Sequence, residues 1–381
     1  MLKLSGKPKS SYQVDSGIYQ VSTDKNLPEV LKKSRCYFVE NEEIPEGYNF
    51  YLATDEKKSF IPDGKRFVEI PNDFSYIKNN DIIRFYENDS FGVIFRADSN
   101  HNSFLVTEQC NHYCLMCSQP PRKVDDKYLL DEIRQAIPLI PRDTKEIGFT
   151  GGEPTLFGDD FLDILRLTKN YLPETSIHIL SNGRAFVDHQ FVKNYASINH
   201  HDMMVGIPLY SDDPKLHDYI VQAQGAFDET ILGILNLKKL NQKVEIRIVL
   251  HKQSIKRLKE LCEYIVRNLL FVDHVALMGL EMMGFTRGNL EELWIDPYEY
   301  KDLLSDSVGI LENARMNISI YNHQLCLVNQ DVYPYYRKSI SDWKNKYEDE
   351  CEKCSKLQEC GGFFSSGLKY KKSEYIQPFS S

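Results

Sequence analysis

FLVTEQCNHYCLMC, residues 104–117, sets an apolar strand-like run directly ahead of three cysteines spaced Cys110-x3-Cys114-x2-Cys117. The chain has only nine cysteines in 381 residues, so this spacing is a concentration of thiols rather than background. Soft thiolates suit zinc or iron–sulfur centres. A closed structural site takes four protein ligands, and an open fourth position is the mark of a centre that binds something else. Two readings follow. Either a distant residue completes a zinc knuckle, or a non-protein ligand takes the fourth place.

Downstream, apolar runs alternate with amphipathic stretches. The runs fall at 104–107, 146–150, 176–181, 203–209, 244–250 and 274–280, and segments such as DDFLDILRLTKNYL and SIKRLKELCEYIVRNLL lie between them. Six β–α repeats over about 200 residues predict an α/β fold, a parallel sheet covered by helices. Periodicity leaves an open barrel and a doubly wound sheet equally open. In either case chemistry collects at the C-terminal ends of the strands. Cys110 follows the first strand, GGEPT (151–155) the second, and SNG (181–183) closes the third, so these loops are expected to build one site.

Residues 1–98 read as short strands separated by turns: a β-rich accessory domain, expected as a partly closed barrel. Residues 323–381 form a Cys-rich extension with Cys351-x2-Cys354-x5-Cys360, and Cys326 stands 25 residues upstream of Cys351. The central segment is 99–322. Cys36 and Cys262 sit in apolar patterns and are expected in cores.

The net charge of −9 and pI of about 5.7 give no global basic footprint, which argues against a nucleic-acid partner. KYKKSEY, 369–375, is the one compact basic run and reads as a solvated tail. No apolar run reaches 18 residues and the first residues lack a signal-peptide core, so no membrane association and a cytoplasmic location are expected. In that compartment clustered cysteines bind metal more often than they form disulfides.

LVTEQCNHYCLMC followed by FTGGEPTL resembles the radical S-adenosylmethionine (SAM) enzymes over about residues 103–285. The resemblance implies a partial (β/α)6 barrel in which Cys110, Cys114 and Cys117 hold a [4Fe–4S] cluster and SAM chelates the fourth iron. It implies that Gly151, Gly152, Glu153 and Pro154 serve the SAM amino group, with Glu153 beside the ammonium and the glycines allowing close backbone approach to the ligand. Ser181 and Asn182 are candidates for the ribose hydroxyls, although an Asn-Gly turn accounts for them as well. Arg247 alternates with Ile246 and Ile248 and points inward; it is the candidate for the SAM carboxylate, against a structural pair with Glu245. The position before the third cysteine is often aromatic in that family. Here it is Met116, whose thioether can pack against the adenine. His112 and Tyr113 could line the same pocket.

The second cysteine group resembles the auxiliary-cluster extensions of peptide-modifying radical SAM enzymes. That implies one auxiliary iron–sulfur cluster on Cys326, Cys351, Cys354 and Cys360, with His323 a weaker alternative ligand. An auxiliary cluster can accept an electron from a substrate radical, which fits oxidative modification of a peptide. SFLVTEQCNHYCLMCSQPP together with YIVQAQGAFDETILGILNL resembles the HxsC-type maturases of His-Xaa-Ser peptide-modification systems. The implied partners are a peptide or small-protein substrate, a second radical SAM protein, and a flavodoxin or ferredoxin reductant. A small-molecule or nucleotide substrate is the alternative within the class, and a non-catalytic zinc-binding adaptor the alternative outside it. His200 and His201 read as a solvated pair; Tyr210 and Glu281 stand on the rim where substrate would lie.

Overall fold

The computed structural model describes residues 3–9, 14–338 and 345–380. Two compact units emerge. One comprises residues 1–104, 127–147 and 164–176; the other comprises 105–126, 148–163 and 177–381. The first unit therefore takes chain from beyond the expected boundary at residue 98, and polar contacts within it show why. Gln20 Nε2 donates to the Leu139 carbonyl at 2.9 Å, and Arg84 faces Glu132 on the helix Tyr128–Ala136 at 3.8 Å.

The first sheet has β1 (Ser5–Gly6), β2 (Gly17–Ser22), β3 (Arg35–Phe38), β4 (Phe50–Thr54), β5 (Phe67–Ile70), β6 (Ile82–Phe85) and β7 (Phe91–Phe95), in the order β1-β7-β6-β2-β3-β4-β5. It is an open mixed sheet rather than the partly closed barrel expected, with distinct strands at its two edges. β2 through β5 run parallel, and β6 and β7 are antiparallel. Parallel neighbours need crossover connections. Strand alternation reads cleanly here. Cys36, Phe38, Phe50 and Leu52 share one buried cluster; Tyr37, Val39, Tyr51 and Ala53 share another. Both faces of β3 and β4 are thus covered, as parallel strands require.

The second sheet runs in strict sequence order: β8 (Asn102–Thr107), β9 (Glu146–Gly151), β10 (Ser176–Leu180), β11 (Met203–Pro208), β12 (Lys243–Leu250), β13 (His274–Gly279) and β14 (Ile318–Tyr321). β10 to β14 pair in parallel. This is the parallel sheet of a partial β/α barrel, with a strand beyond the six expected. β14 is four residues long and lies just before the Cys-rich region. It follows the helix Pro297–Asn313, which Asp296 caps by accepting from Tyr298 N at 3.0 Å with Pro297 in the first turn. On the helix Leu258–Asn268 the buried residues are Leu258, Leu261, Cys262 and Ile265, a helical stripe. Cys36 and Cys262 are both buried. Among the described residues no helix is long and apolar enough to cross a membrane.

Leu52 is fully buried between its neighbours on β4. Leu52→Ala should cost about 2–5 kcal/mol of stability, read as a lower urea midpoint; an unchanged midpoint would contradict this packing.

Candidate active site

β8 delivers the chain to the cysteine loop at Thr107. Asp126, almost fully buried, closes that loop. Its carboxylate accepts from Thr107 Oγ1 at 3.0 Å, from Gln109 Nε2 at 3.1 Å and from the Glu108 amide, tying the end of the loop to its start. Arg122 N adds a bond to the Glu108 carbonyl at 2.8 Å. Inside the loop, Cys110 Sγ accepts from His112 N at 3.3 Å, and Cys117 N donates to the Cys114 carbonyl at 3.0 Å. Burial pushes the Cys110 thiol up to about 11, with Glu153 and Cys117 adding to the shift. Cys114 is raised by burial and by the other two thiols, and Cys117 by burial. Buried thiols gathered in this way are favoured as thiolates only around a shared cationic core. Among the described residues no group of three or more His, Cys, Asp or Glu side chains closes on the position of a single metal ion.

The loop after β9 is pressed against the cysteine loop. Gly152 N donates to the Thr107 carbonyl at 2.7 Å and Glu153 N to the Gln109 carbonyl at 2.8 Å. A Cβ on Gly152 would lie 1.9 Å from the Gln109 carbonyl oxygen; one on Gly151, where φ is +140°, would lie 2.3 Å from that of Thr107. The backbone these glycines admit is that of 107–109. Pro154 opens the 3-10 turn Pro154–Phe157, with Glu153 at its N-cap.

Glu153 is 1 % exposed. Its Oε1 accepts from Thr155 N at 3.1 Å, Thr155 Oγ1 at 2.6 Å and Ser181 Oγ at 2.8 Å, and its Oε2 from Asn182 N at 2.6 Å. Burial raises its pKa, and these bonds offset only part of the shift. Among the described residues it has no cationic partner. A buried carboxylate with its charge uncompensated fits an incoming ammonium group. Ser181 and Asn182 are turned to the protein: Asn182 Nδ2 donates to Asn111 Oδ1 at 2.6 Å, and its Oδ1 accepts from Arg184 N at 3.1 Å. The third loop is thereby tied to both the first and the second.

The barrel interior holds a polar network. Arg247 Nη1 donates to Glu245 Oε1 at 2.6 Å, and Nη2 lies 3.0 Å from Met278 Sδ. Glu245 Oε2 bonds His274 Nδ1 at 2.6 Å, while His274 Nε2 reaches Ser319 Oγ at 2.9 Å. The structural pair weighed for Arg247 is therefore present. Burial pushes the Glu245 carboxyl up, but His178, His274 and the Arg247 charge outweigh it and hold it well below the usual carboxylate range. Met116 and Tyr210 pack in one buried cluster with Leu115 and Leu293, against which Cys114 also lies. Tyr210 is flanked by the rings of His217 and His251 at 6.0 and 6.2 Å. His112 is buried with neither ring nitrogen bonded, and Tyr113 is exposed. His200 and His201 lie ring to ring at 4.9 Å, with His200 Nδ1 accepting from Asp202 N.

In the extension, Cys326, Cys351, Cys354 and Cys360 line one cavity whose other walls include Leu325, Leu357, Phe363, Ile376 and Phe379. Backbone N–H groups point at the sulfurs: Leu325 N and Gly362 N at Cys360 (3.4 and 3.3 Å), and Phe379 N at Cys354 (3.4 Å). Such donors stabilise negative charge on sulfur. Four thiols in a largely apolar pocket fit a four-thiolate cluster. His323 is absent from that lining. It is fully buried, with Nε2 on Tyr300 OH at 2.9 Å and Nδ1 on the Tyr321 carbonyl at 2.8 Å, so both nitrogens are taken.

Sequence reasoning missed Asp126, since one Asp in KVDDK looks like a charged loop. It also missed Asn111, whose partner is 71 positions away.

Breaking one partner of a buried pair costs about 3–5 kcal/mol, which is the expected loss for Glu245→Gln at neutral pH. Because the folded pKa of Glu245 is depressed, its contribution is present above the unfolded carboxylate value of about 4.3 and is lost as pH falls towards the folded value. Urea unfolding of wild type and variant should converge in acid; a gap independent of pH would contradict this role.

Residues 104–265 match the Radical SAM superfamily. No curated protein matches the chain. Among solved structures, anSMEcpe with bound AdoMet is similar at a TM-score of 0.51 and 14 % identity, over 73 % of this chain and 92 % of that one. Streptococcus suis SuiB bound to S-adenosylmethionine is similar at 0.47 and 17 % identity, over 62 % of this chain and 52 % of that one. SuiB bound to its precursor peptide SuiA gives 0.47 and 17 %, over 63 % and 51 %. The chain thus spans about half the length of SuiB. The anSMEcpe likeness is one of fold. The strands β8–β12, with the three-cysteine loop and the Gly-Gly-Glu-Pro turn, are thus the part of the chain that matches the Radical SAM superfamily.

Proposed function

We propose that this chain oxidatively modifies a ribosomally made peptide. The observation that carries the reading is the gathering of Cys326, Cys351, Cys354 and Cys360 in one cavity beyond the end of the barrel. A closed auxiliary cluster there supplies what hydrogen abstraction alone lacks, an acceptor for the electron a substrate radical must lose. The fold neighbour anSMEcpe has been solved with AdoMet and a peptide, which supports a peptide substrate. The blocks around Cys110 and at 219–237 favour the His-Xaa-Ser type, with a second radical SAM protein as partner and a flavodoxin or ferredoxin as reductant in the cytoplasm.

Three functional segments follow: an accessory segment at 1–98, the radical SAM barrel at 99–322 and the auxiliary-cluster segment at 323–381. Cys110, Cys114 and Cys117 would hold a [4Fe–4S] cluster with SAM on its open iron, and that pair supplies a 5′-deoxyadenosyl radical when bound. The chain's own part is to hold and orient. Glu153 presents a buried negative charge to the SAM ammonium, and the backbone of Gly151, Gly152 and Pro154 keeps it there. Ser181 and Asn182 fix the third loop beside the ribose. Arg247, steadied by Glu245, faces the SAM carboxylate, and Met116 packs beside the adenine. Tyr210 and its buried neighbours keep water from the reacting carbon.

Anaerobic co-production with a His-Xaa-Ser repeat peptide tests the reading by mass spectrometry. The peptide should lose the mass of two hydrogen atoms per modification, and both Cys114→Ala and Cys354→Ala should abolish the loss. An unmodified peptide from protein with iron at both sites would move the substrate to a small molecule or nucleotide. Zinc in place of iron would leave a non-catalytic adaptor.

A further inference from the structure

A second cavity lies between the two thiol sites. Its floor comes from strand ends of the barrel, Leu250 of β12 and Gly279 of β13, followed by Leu280. Leu280 also packs against the cluster that contains Met116 and Tyr210, with Cys114 beside it. On the opposite side the wall is Gln324, Gly362 and Phe363, which also line the auxiliary cysteine cavity. The cleft therefore shares a wall with the auxiliary cysteine cavity and, through Leu280, adjoins the cluster against which Cys114 packs.

The far wall is fixed in place. Gln324 Nε2 donates to the Gly362 carbonyl at 2.8 Å, and Phe363 and Lys346 exchange backbone bonds of 2.8 Å in both directions. Gly361 N donates to Tyr336 OH at 2.7 Å. Met282, Trp294, Ile295, Pro297 and Phe364 add apolar wall beside the polar Asn322 and Ser373, and that apolar part suits an apolar side chain.

The mouth is cationic. Lys371 and Lys372 line it. Beside them Arg287 bonds Tyr370 OH at 2.9 Å and stacks on that ring at 5.1 Å, with Lys369 5.4 Å from the same ring. Glu348 pairs with Lys372. Among the described residues Arg287, Lys369 and Lys371 have no carboxylate partner, and all three are exposed. Unpaired cations around one opening are notable on a chain of net charge −9, and they attract and orient anionic partners. Lys371 and Lys372 of the KYKK run thus line this mouth.

The geometry points to this cleft as the docking site for an acidic peptide segment that places an apolar side chain between the two thiol sites. The inference rests on the peptide reading given above and narrows it to an apolar residue flanked by Asp or Glu. The flanking carboxylates meet Arg287, Lys369 and Lys371, and the apolar side chain enters over Leu280 and Phe363.

The probe is a pair of acetylated, amidated peptides with the same central Phe, one flanked by Asp and one by Lys. Binding to the full chain carrying both clusters is measured by calorimetry. The Asp peptide should bind at least about tenfold more tightly and weaken with added salt. The surface variant Lys369→Glu/Lys371→Glu, with an unchanged circular dichroism spectrum, should reverse the preference. Equal affinities, binding of neither peptide, or a preference unmoved by the charge reversal would overturn the docking site. Release of 5′-deoxyadenosine, read in the same samples, reports separately on the radical chemistry. Nucleoside with no peptide preference sinks the docking inference alone. A preference that reverses as expected supports it even where no nucleoside forms.

Discussion

The site depends on one close approach. The backbone at 151–153 lies so near the backbone at 107–109 that no side chain fits between them, and two amide-to-carbonyl bonds hold the contact. This fixes the cysteine loop against the second strand's loop. Glu153 then carries the connection to the third loop through Ser181 and the Asn182 amide. A carboxylate is suited to this because it accepts several donors at once. The cost is a buried negative charge, offset by hydrogen bonds but not by any cation among the described residues. Such a tie both stiffens the site and leaves it electrostatically prepared for an ammonium group.

Further into the barrel the logic is different. Glu245, Arg247, His274 and Ser319 join strands β12, β13 and β14 through their side chains. The network spans the sheet where a hydrophobic filling would otherwise be expected, and it holds the Arg247 guanidinium in one place. Charge in the interior is tolerable only in pairs, and the pairing sets which polar groups remain for a ligand.

Much of this was legible in the sequence because it is carried by local pattern. Alternation located the strands from β2 to β13, and the helical stripe placed Cys262 in the core. The cysteine spacing and GGEP located the loops after β8 and β9. What escaped depends on partners distant in the chain. Pairing direction in the first sheet is set by crossovers and not by alternation, so an open mixed sheet looked like a barrel. β14 is four residues long and carries no periodic signal of its own. Asp126 and Asn111 become visible only when the loops meet. Cys326 lies in an apolar run that also suits a core residue; the backbone of 376–379, folded back beside the other cysteines, decides its surroundings.

Release of 5′-deoxyadenosine from anaerobically reconstituted protein given SAM and a strong reductant tests the central claim, that the contact between these loops makes the radical site. Wild type should release the nucleoside. Gly152→Ala, folded and still carrying its auxiliary iron, should not, because a Cβ there forces the two loops apart. Release from Gly152→Ala at the wild-type rate, or from Cys114→Ala, would contradict the account.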